Sequence, residues 1–233
     1  MCLLVSVLSQ LGNIAGDSCE ARDAVLRVGA VPALLGLLTS EPCRLSMLRN
    51  ATWAVSNCVR GKPAPRWSDV ESTLPVLSAI IAKGLDVEVL TDAVRQLSSA
   101  SDHADSSSAI RLPFGLTGVA LCVASVLQCW ALSYLSDDST PNNAHISAVI
   151  ATGVIPHLVQ LLLHPNPRIL TPALRTLGNI VTGDDIQTSA VLNAGILPVL
   201  RNLLSHPRRL VRKEAVWALS NGQHATHRDE HGT

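Results

Sequence analysis

Apolar segments of eight or nine residues recur along the chain, and each has proline at its second position. They read VPALLGLL from residue 31, LPVLSAII from 74, IPHLVQLLL from 155 and LPVLRNLL from 197. Proline fits the first turn of a helix, where no backbone donor is missed. Gly29, Gly153 and Gly195 precede three of these segments, as glycine often follows the end of a helix. The pattern predicts a short helix, a glycine and a proline-started helix in each unit.

A second pattern recurs in phase with the first, in which a large side chain precedes an amide side chain by four residues. We call each such pair of positions a rung. The rungs are Trp53/Asn57 and Trp217/Asn221 in full, Trp130/Tyr134 and Arg175/Asn179 with one substitution each, and Ser9/Asn13 with only the asparagine. Four residues turn a helix through about 400°, so both side chains stand on one face. An indole beside an amide donor and acceptor suits an extended peptide.

The rungs are 44, 77, 45 and 42 residues apart, and the prolines are 43, 81 and 42 apart. A period of about 42 residues with three helices is typical of armadillo repeats. Such units stack because none buries its apolar face alone, and their last helices line a concave groove. The sequence therefore predicts an all-α armadillo-repeat solenoid, a right-handed superhelix of about 3–4 repeats.

The spacing also predicts how the chain divides. We expect a partial armadillo repeat at 1–17, repeats at 18–60, 61–138, 139–183 and 184–221, and a disordered tail at 222–233. One unit is about 35 residues too long, and we place the excess at 94–128.

Composition disfavours several classes of binding partner and indicates the cellular compartment. The 233 residues are 47% hydrophobic and 15% charged with no net charge, which does not favour a nucleic-acid or membrane surface. The six cysteines form no C-x-x-C pair, as expected for reduced thiols of a cytosolic or nuclear protein. Residues 112–136 are long enough to span a bilayer, but their second half belongs to a repeat, which disfavours that alternative.

Several long motifs resemble the importin-α (karyopherin-α) family of nuclear-import adaptors. They are LGNIAGDS (11–18), LSMLRNATWAVSN (45–57), RGKPAP (60–65), CWALSYLSDD (129–138), TPALRTLGNIVTGDDIQT (171–188) and KEAVWALSN (213–221). In that family, tryptophan walls hold the lysine and arginine stems of a nuclear localisation signal. Asparagines hydrogen-bond the peptide backbone, and carboxylates meet the ammonium groups.

The resemblance implies a peptide-binding site and a function. The implied site residues are Asn13, Asp17, Trp53, Asn57, Asp92, Trp130, Tyr134, Asp137, Arg175, Asn179, Glu214, Trp217 and Asn221. Trp53 and Asn57 match an intact rung of the major site, and Arg175 and Trp217 match rungs of the minor site. The expected function is to bind basic localisation signals of cargo for importin-β-dependent transport, shuttling between cytoplasm and nucleus. We expect no catalysis, cofactor, metal, nucleic acid or membrane partner.

The chain also departs from the family pattern. Ser9 stands where the family has tryptophan, and the family's importin-β-binding segment and flanking repeats are absent, so about half of each site is expected. The family reads D-A-C-W-A-L-S-Y, whereas residues 94–128 separate Ala93 from Cys129 here. We expect this insertion to cut the rung helix before Trp130. Its ends can be encoded as splice signals, and we interpret it as a retained intron translated into protein.

Other interpretations stay open at this stage. The rung tryptophans could be core residues, the asparagines helix caps, and Asp17, Asp137 and Asp185 solvated loop acids. The chain could be a non-functional or misannotated fragment, or a general armadillo scaffold for acidic partners, although that scaffold would favour lysine and arginine at the rungs. His224, His227 and His231 have a spacing that could seat a metal, without support from neighbouring cysteines.

Overall fold

The computed structural model describes residues 2–40, 45–84, 118–138, 140 and 142–227, and all regular structure within them is helical. The first helices are α1 (Cys2–Asp17), α2 (Cys19–Arg27), α3 (Ala30–Thr39), α4 (Leu45–Cys58), α5 (Trp67–Val70), α6 (Thr73–Gly84) and α7 (Gly118–Leu135). They are followed by α8 (Ala144–Ala151), α9 (Ile155–Leu161), α10 (Pro167–Ile180), α11 (Asp185–Asn193), α12 (Ile196–Leu203) and α13 (Arg209–His227).

The chain forms two compact units, Met1–Ala131 and Leu132–Thr233. In the first unit, α4 packs along α1 and also contacts α3. In the second unit, α13 packs along α10, and α10 packs on α9. Each unit is thus built around a pair of long helices that both carry rung positions.

Glycines separate the first and second helices of three repeats, as the sequence predicts. Gly29, Gly153 and Gly195 have φ angles of 73°, 71° and 79°, a left-handed conformation that a side chain disfavours. The second helix begins directly after Gly29 and Gly195 and two residues after Gly153. The prediction of a glycine junction followed by a proline-started helix is confirmed.

A buried arginine fixes the loop after α4. The Arg22 side chain is 1% exposed, and its Nη1 donates to the carbonyl oxygens of Arg60 at 2.9 Å and Pro63 at 2.8 Å. Its Nε donates to Asp23 Oδ1 at 2.9 Å, so the buried charge is compensated. Arg60 in turn donates to the carbonyl oxygen of Gly16 at 3.3 Å, near the end of α1. The loop thereby ties the end of α4 to the end of α1.

Helix α7 corrects the expectation that the insertion cuts the helix before Trp130. The helix runs unbroken from Gly118 to Leu135, so residues 118–128 of the insertion supply its first turns. This stretch is rich in alanine, leucine and valine and has no proline, so nothing in it ends a helix. Gln128, the last inserted residue, is fully buried, and neither Oε1 nor Nε2 has a hydrogen-bond partner. Asp92 and residues 94–117 lie outside the described residues.

In the described part of the chain, no single helix is long and apolar enough to cross a membrane. Within the same residues, only α8 and α9 taken together have the required length and apolar composition, and the two helices are bent by 82° relative to each other.

The three cysteines whose side chains are described, Cys19, Cys58 and Cys129, are thiols that take no part in a disulfide. Burial raises the pKa of Cys58 to about 11, despite the opposing charge of Arg22, and that of Cys129 to about 12. Such protonated, buried thiols are poor nucleophiles.

Candidate functional site: the tryptophan and asparagine rungs

The rung of the first unit lies where α4 meets α1. Trp53 is 37% exposed and is therefore not a core residue. A β-carbon at Gly12 would lie 2.5 Å from Trp53 Cδ1 and 2.9 Å from Nε1, closer than any real contact. The indole consequently rests directly on the α1 backbone, while more than a third of its surface stays open to solvent.

Asn57 occupies the helix interface and not the surface. It is 1% exposed, and its Nδ2 donates to the Gly12 carbonyl oxygen at 2.8 Å. Its Oδ1 is buried without a hydrogen-bond partner. Asn13 and Asp17, four residues apart on α1, are both exposed. Trp53 and Asn57 therefore both contact Gly12, and the Asn57 amide points onto the neighbouring helix α1.

The second unit repeats the tryptophan geometry. Trp217 on α13 is also 37% exposed, and a β-carbon at Gly178 of α10 would meet its benzo ring, 2.8 Å from Cε3 and closer still to Cζ3. Gly178 directly precedes Asn179, just as Gly12 directly precedes Asn13. Asn221 is half-buried, and its Nδ2 is buried without a partner.

Asn179 repeats the asparagine geometry. Its Nδ2 donates to the Ser133 carbonyl oxygen at 2.8 Å and to Ser136 Oγ at 3.1 Å. Ser133 directly precedes Tyr134, the rung residue of α7. In both units, then, a rung asparagine donates to the carbonyl group one residue before the amide position of the preceding rung. Helix capping, the alternative considered for these asparagines, does not describe this contact between helices.

Arg175 and Glu214 bind each other. Arg175 Nε donates to Glu214 Oε2 at 3.2 Å, and Nη2 pairs with Oε1. The Arg175 side chain is 44% exposed and that of Glu214 only 6%. Sequence reasoning placed both residues in the site but did not anticipate this pair, which stands in a rung that lacks tryptophan.

The remaining predicted residues surround the end of α7. Trp130 and Tyr134 are half-buried, and Asp137 is exposed. The neighbouring Asp138 accepts the backbone N–H groups of Thr140 and His145, each at 2.8 Å. Burial alone would raise the pKa of Asp138, but these donors and the His145 charge lower it below its usual value. Asp138 therefore orders the loop that leads into α8.

No group of three histidine, cysteine, aspartate or glutamate side chains is placed to hold a metal ion, as far as the described residues extend. The side chains of His224, His227 and His231 lie outside that part of the structure.

The armadillo/β-catenin-like repeat family matches residues 18–60, 142–182 and 184–221. The chain belongs to this family. A designed armadillo repeat protein, YIII(Dq.V1)4CPAF, solved in complex with the peptide (KR)4, shares the fold with a TM-score of 0.69 and 23% identity. The alignment covers 93% of this chain and 74% of that one. The all-α armadillo fold class predicted from the sequence is confirmed.

Within that class, the chain resembles importin α subunits. It is 45% identical over 206 residues to importin subunit alpha-1a of Oryza sativa subsp. japonica, covering 88% of this chain and 32% of the relative. It is 46% identical over 167 residues to importin subunit alpha-3 of Arabidopsis thaliana, covering 72% of this chain and 24% of the relative. The resemblance to the importin-α family is confirmed, and the chain spans about a quarter to a third of these relatives.

Proposed function

We propose that this chain binds extended, lysine- and arginine-rich peptides as part of a nuclear-import adaptor of the importin-α kind. The observation that carries the proposal is the shared state of Trp53 and Trp217, each resting on a glycine backbone and each 37% exposed. A lysine or arginine stem can pack on such an indole face with its cation over the ring. The similarity to importin α subunits supports cargo proteins with basic localisation signals as the ligands.

We assign the peptide contacts by exposure. In the first unit they are Trp53, Asn13 and Asp17, and in the second unit Trp217. Asn221 is half-buried and joins them by its place in the rung of Trp217. Asn57 and Asn179 each donate to a preceding helix, so a bond from their Nδ2 to a peptide requires exchange of that hydrogen bond. The family resemblance adds Trp130 in the first unit and Tyr134, Asp137, Arg175 and Glu214 in the second as proposed peptide contacts. Asp92, which it also implies, lies outside the described residues.

The proposed mechanism is equilibrium binding without catalysis. Handover to importin-β and shuttling between cytoplasm and nucleus are part of the proposal, and the importin α relatives support both.

Titration of a fluorescently labelled lysine- and arginine-rich peptide, followed by anisotropy, tests the proposal. We expect Trp53→Ala and Trp217→Ala each to weaken binding about tenfold, since a cation–π and stem contact is worth about 1–2 kcal/mol. Trp67→Ala is the control, because Trp67 lies in α5 outside any rung. A chain that binds no basic peptide, or that keeps its affinity in both rung variants, would refute the proposal. Preference for an acidic peptide would instead indicate a general armadillo scaffold.

A further inference from the structure

Neither helix propensity nor backbone conformation explains why two positions inside rung helices are glycine. Gly12 lies within α1 and Gly178 within α10, and glycine in a helix interior is less favourable than alanine. Neither residue has the positive φ that would call for glycine. Their reason must therefore come from what approaches them.

What approaches each glycine is the tryptophan of the next rung. A β-carbon at Gly12 would overlap Trp53, with Cδ1 2.5 Å away, and one at Gly178 would overlap Trp217. The two indoles approach through different edges, the pyrrole ring at Gly12 and the benzo ring at Gly178. The shared feature is direct contact between an indole and a helix backbone that carries no side chain.

We propose that Gly12 and Gly178 are positioning residues for peptide binding, each setting the place of the tryptophan wall of the following rung. This inference rests on the proposed function, because it assigns the glycines to the same peptide site. At Gly178 the three nearest neighbours of an alanine β-carbon would be ring atoms of Trp217, and at Gly12 they would be two ring atoms of Trp53 and the backbone Cα of Ala54 at 3.3 Å. The closest overlap is in both cases with an indole that can rotate away, so we expect the wall to move. Peptide affinity is then a property that we expect to depend on the missing β-carbon.

Gly12 fixes both members of the following rung. It receives the Trp53 indole on its Cα side and the Asn57 Nδ2 on its carbonyl oxygen at 2.8 Å. At the equivalent place before Tyr134 the chain has Ser133, which accepts from Asn179 in the same way, and the rung that docks there has Arg175 and no indole. The position that precedes the Arg175 rung thus carries a side chain. The inference covers Trp53 and Trp217 only. For Trp130, the tryptophan of the rung after Asn57, the corresponding position is Ser56 and not a glycine.

The first test measures affinity for the labelled basic peptide in Gly12→Ala, with Gly36→Ala as the matched control. Gly36 lies in α3, and a β-carbon there meets nothing within 4 Å. We expect Gly12→Ala to weaken binding about tenfold, as for loss of the Trp53 contact, and Gly36→Ala to leave it unchanged. In a Trp53→Ala background, Gly12→Ala should have no further effect, because the glycine acts through the indole. Wild-type affinity in Gly12→Ala, or an equal loss in both backgrounds, would overturn the inference.

The second test needs no peptide. With Trp67, Trp130 and Trp217 replaced by phenylalanine, the emission and acrylamide quenching of Trp53 report on the wall alone. Gly12→Ala should shift the emission to longer wavelength and increase quenching, whereas Gly36→Ala should change neither. A parent chain that binds no basic peptide but shows this shift would refute the proposed function and leave the glycine–tryptophan coupling intact. Unchanged fluorescence in Gly12→Ala would overturn the coupling itself.

Discussion

Replacing Gln128 by methionine should stabilise the protein. Gln128 is fully buried, and both polar atoms of its amide lack a partner. An unsatisfied buried polar group costs about 1–3 kcal/mol, and methionine fills a similar volume without polar atoms. Allowing for imperfect repacking of the sulfur and methyl group, we expect a gain of about 2 kcal/mol. With a urea m-value of about 2 kcal/mol/M, the unfolding midpoint should rise by about 1 M.

The assay is urea unfolding followed by far-ultraviolet circular dichroism. Gln160→Met is the control, because Gln160 lies on α9 with its side chain exposed, where substitutions change stability by about 0.5 kcal/mol or less. A midpoint for Gln128→Met that is unchanged or lower than that of the parent would show that the Gln128 amide is satisfied, and the reasoning would fail.

The unpaired amide also bears on the origin of the insertion. Without residues 94–128, Ala93 would directly precede Cys129, and the buried position would hold a methyl group. The retained-intron hypothesis therefore accounts for a buried amide without hydrogen-bond partners at Gln128. Sequencing the transcript across this region decides the point, because a major form that keeps the insertion contradicts the hypothesis.

Two further predictions concern the second unit. Arg175→Met leaves the Glu214 carboxylate, whose side chain is 6% exposed, without its ion-pair partner, and should lower the free energy of unfolding by about 3 kcal/mol. Glu214→Gln leaves a half-exposed cation that water can reach, and should lower it by only about 1 kcal/mol. Equal losses in the urea midpoint would contradict this asymmetry. Burial lowers the pKa of His164, whose Nδ1 accepts the Asn166 N–H at 3.0 Å. Because the unfolded chain therefore binds the proton at a higher pH than the folded chain, the free energy of unfolding should fall as the pH drops below about 6.5. His164→Asn keeps an acceptor that does not titrate, and an unaltered pH dependence of its unfolding midpoint would refute the assignment.

The sequence predicts best what depends on local repetition. The glycine junctions at Gly29 and Gly195 and the helices after them follow from residues a few positions apart. The rung pattern likewise places Trp53 and Trp217 at equivalent positions, where each contacts a glycine. The sequence does not reveal which way an amide points. Asn57 is buried because Gly12, 45 residues away, offers it a carbonyl group.

The pair of Arg175 and Glu214 is a second case of this kind, because its partners are 39 residues apart in different repeats. The pattern around each residue is compatible with a peptide contact, and only the packing of α10 on α13 shows that they neutralise each other. Gln128 likewise reads as an ordinary helical residue until its burial is known.

The contacts of Gly12 with Trp53 and of Gly178 with Trp217 mean that the structural repeat and the proposed binding module are not the same segment. Each wall takes its indole from one repeat and its seat from the repeat before. Chimeras that exchange whole repeats would therefore separate the indole from its seat at the two junctions where this contact occurs, Gly12 with Trp53 and Gly178 with Trp217. Crossover points placed within the last helix of a repeat, between the tryptophan position and the glycine position three residues after it, would keep each pair together. Recombination and engineering of such chains should therefore exchange segments that keep each glycine with the tryptophan that it contacts.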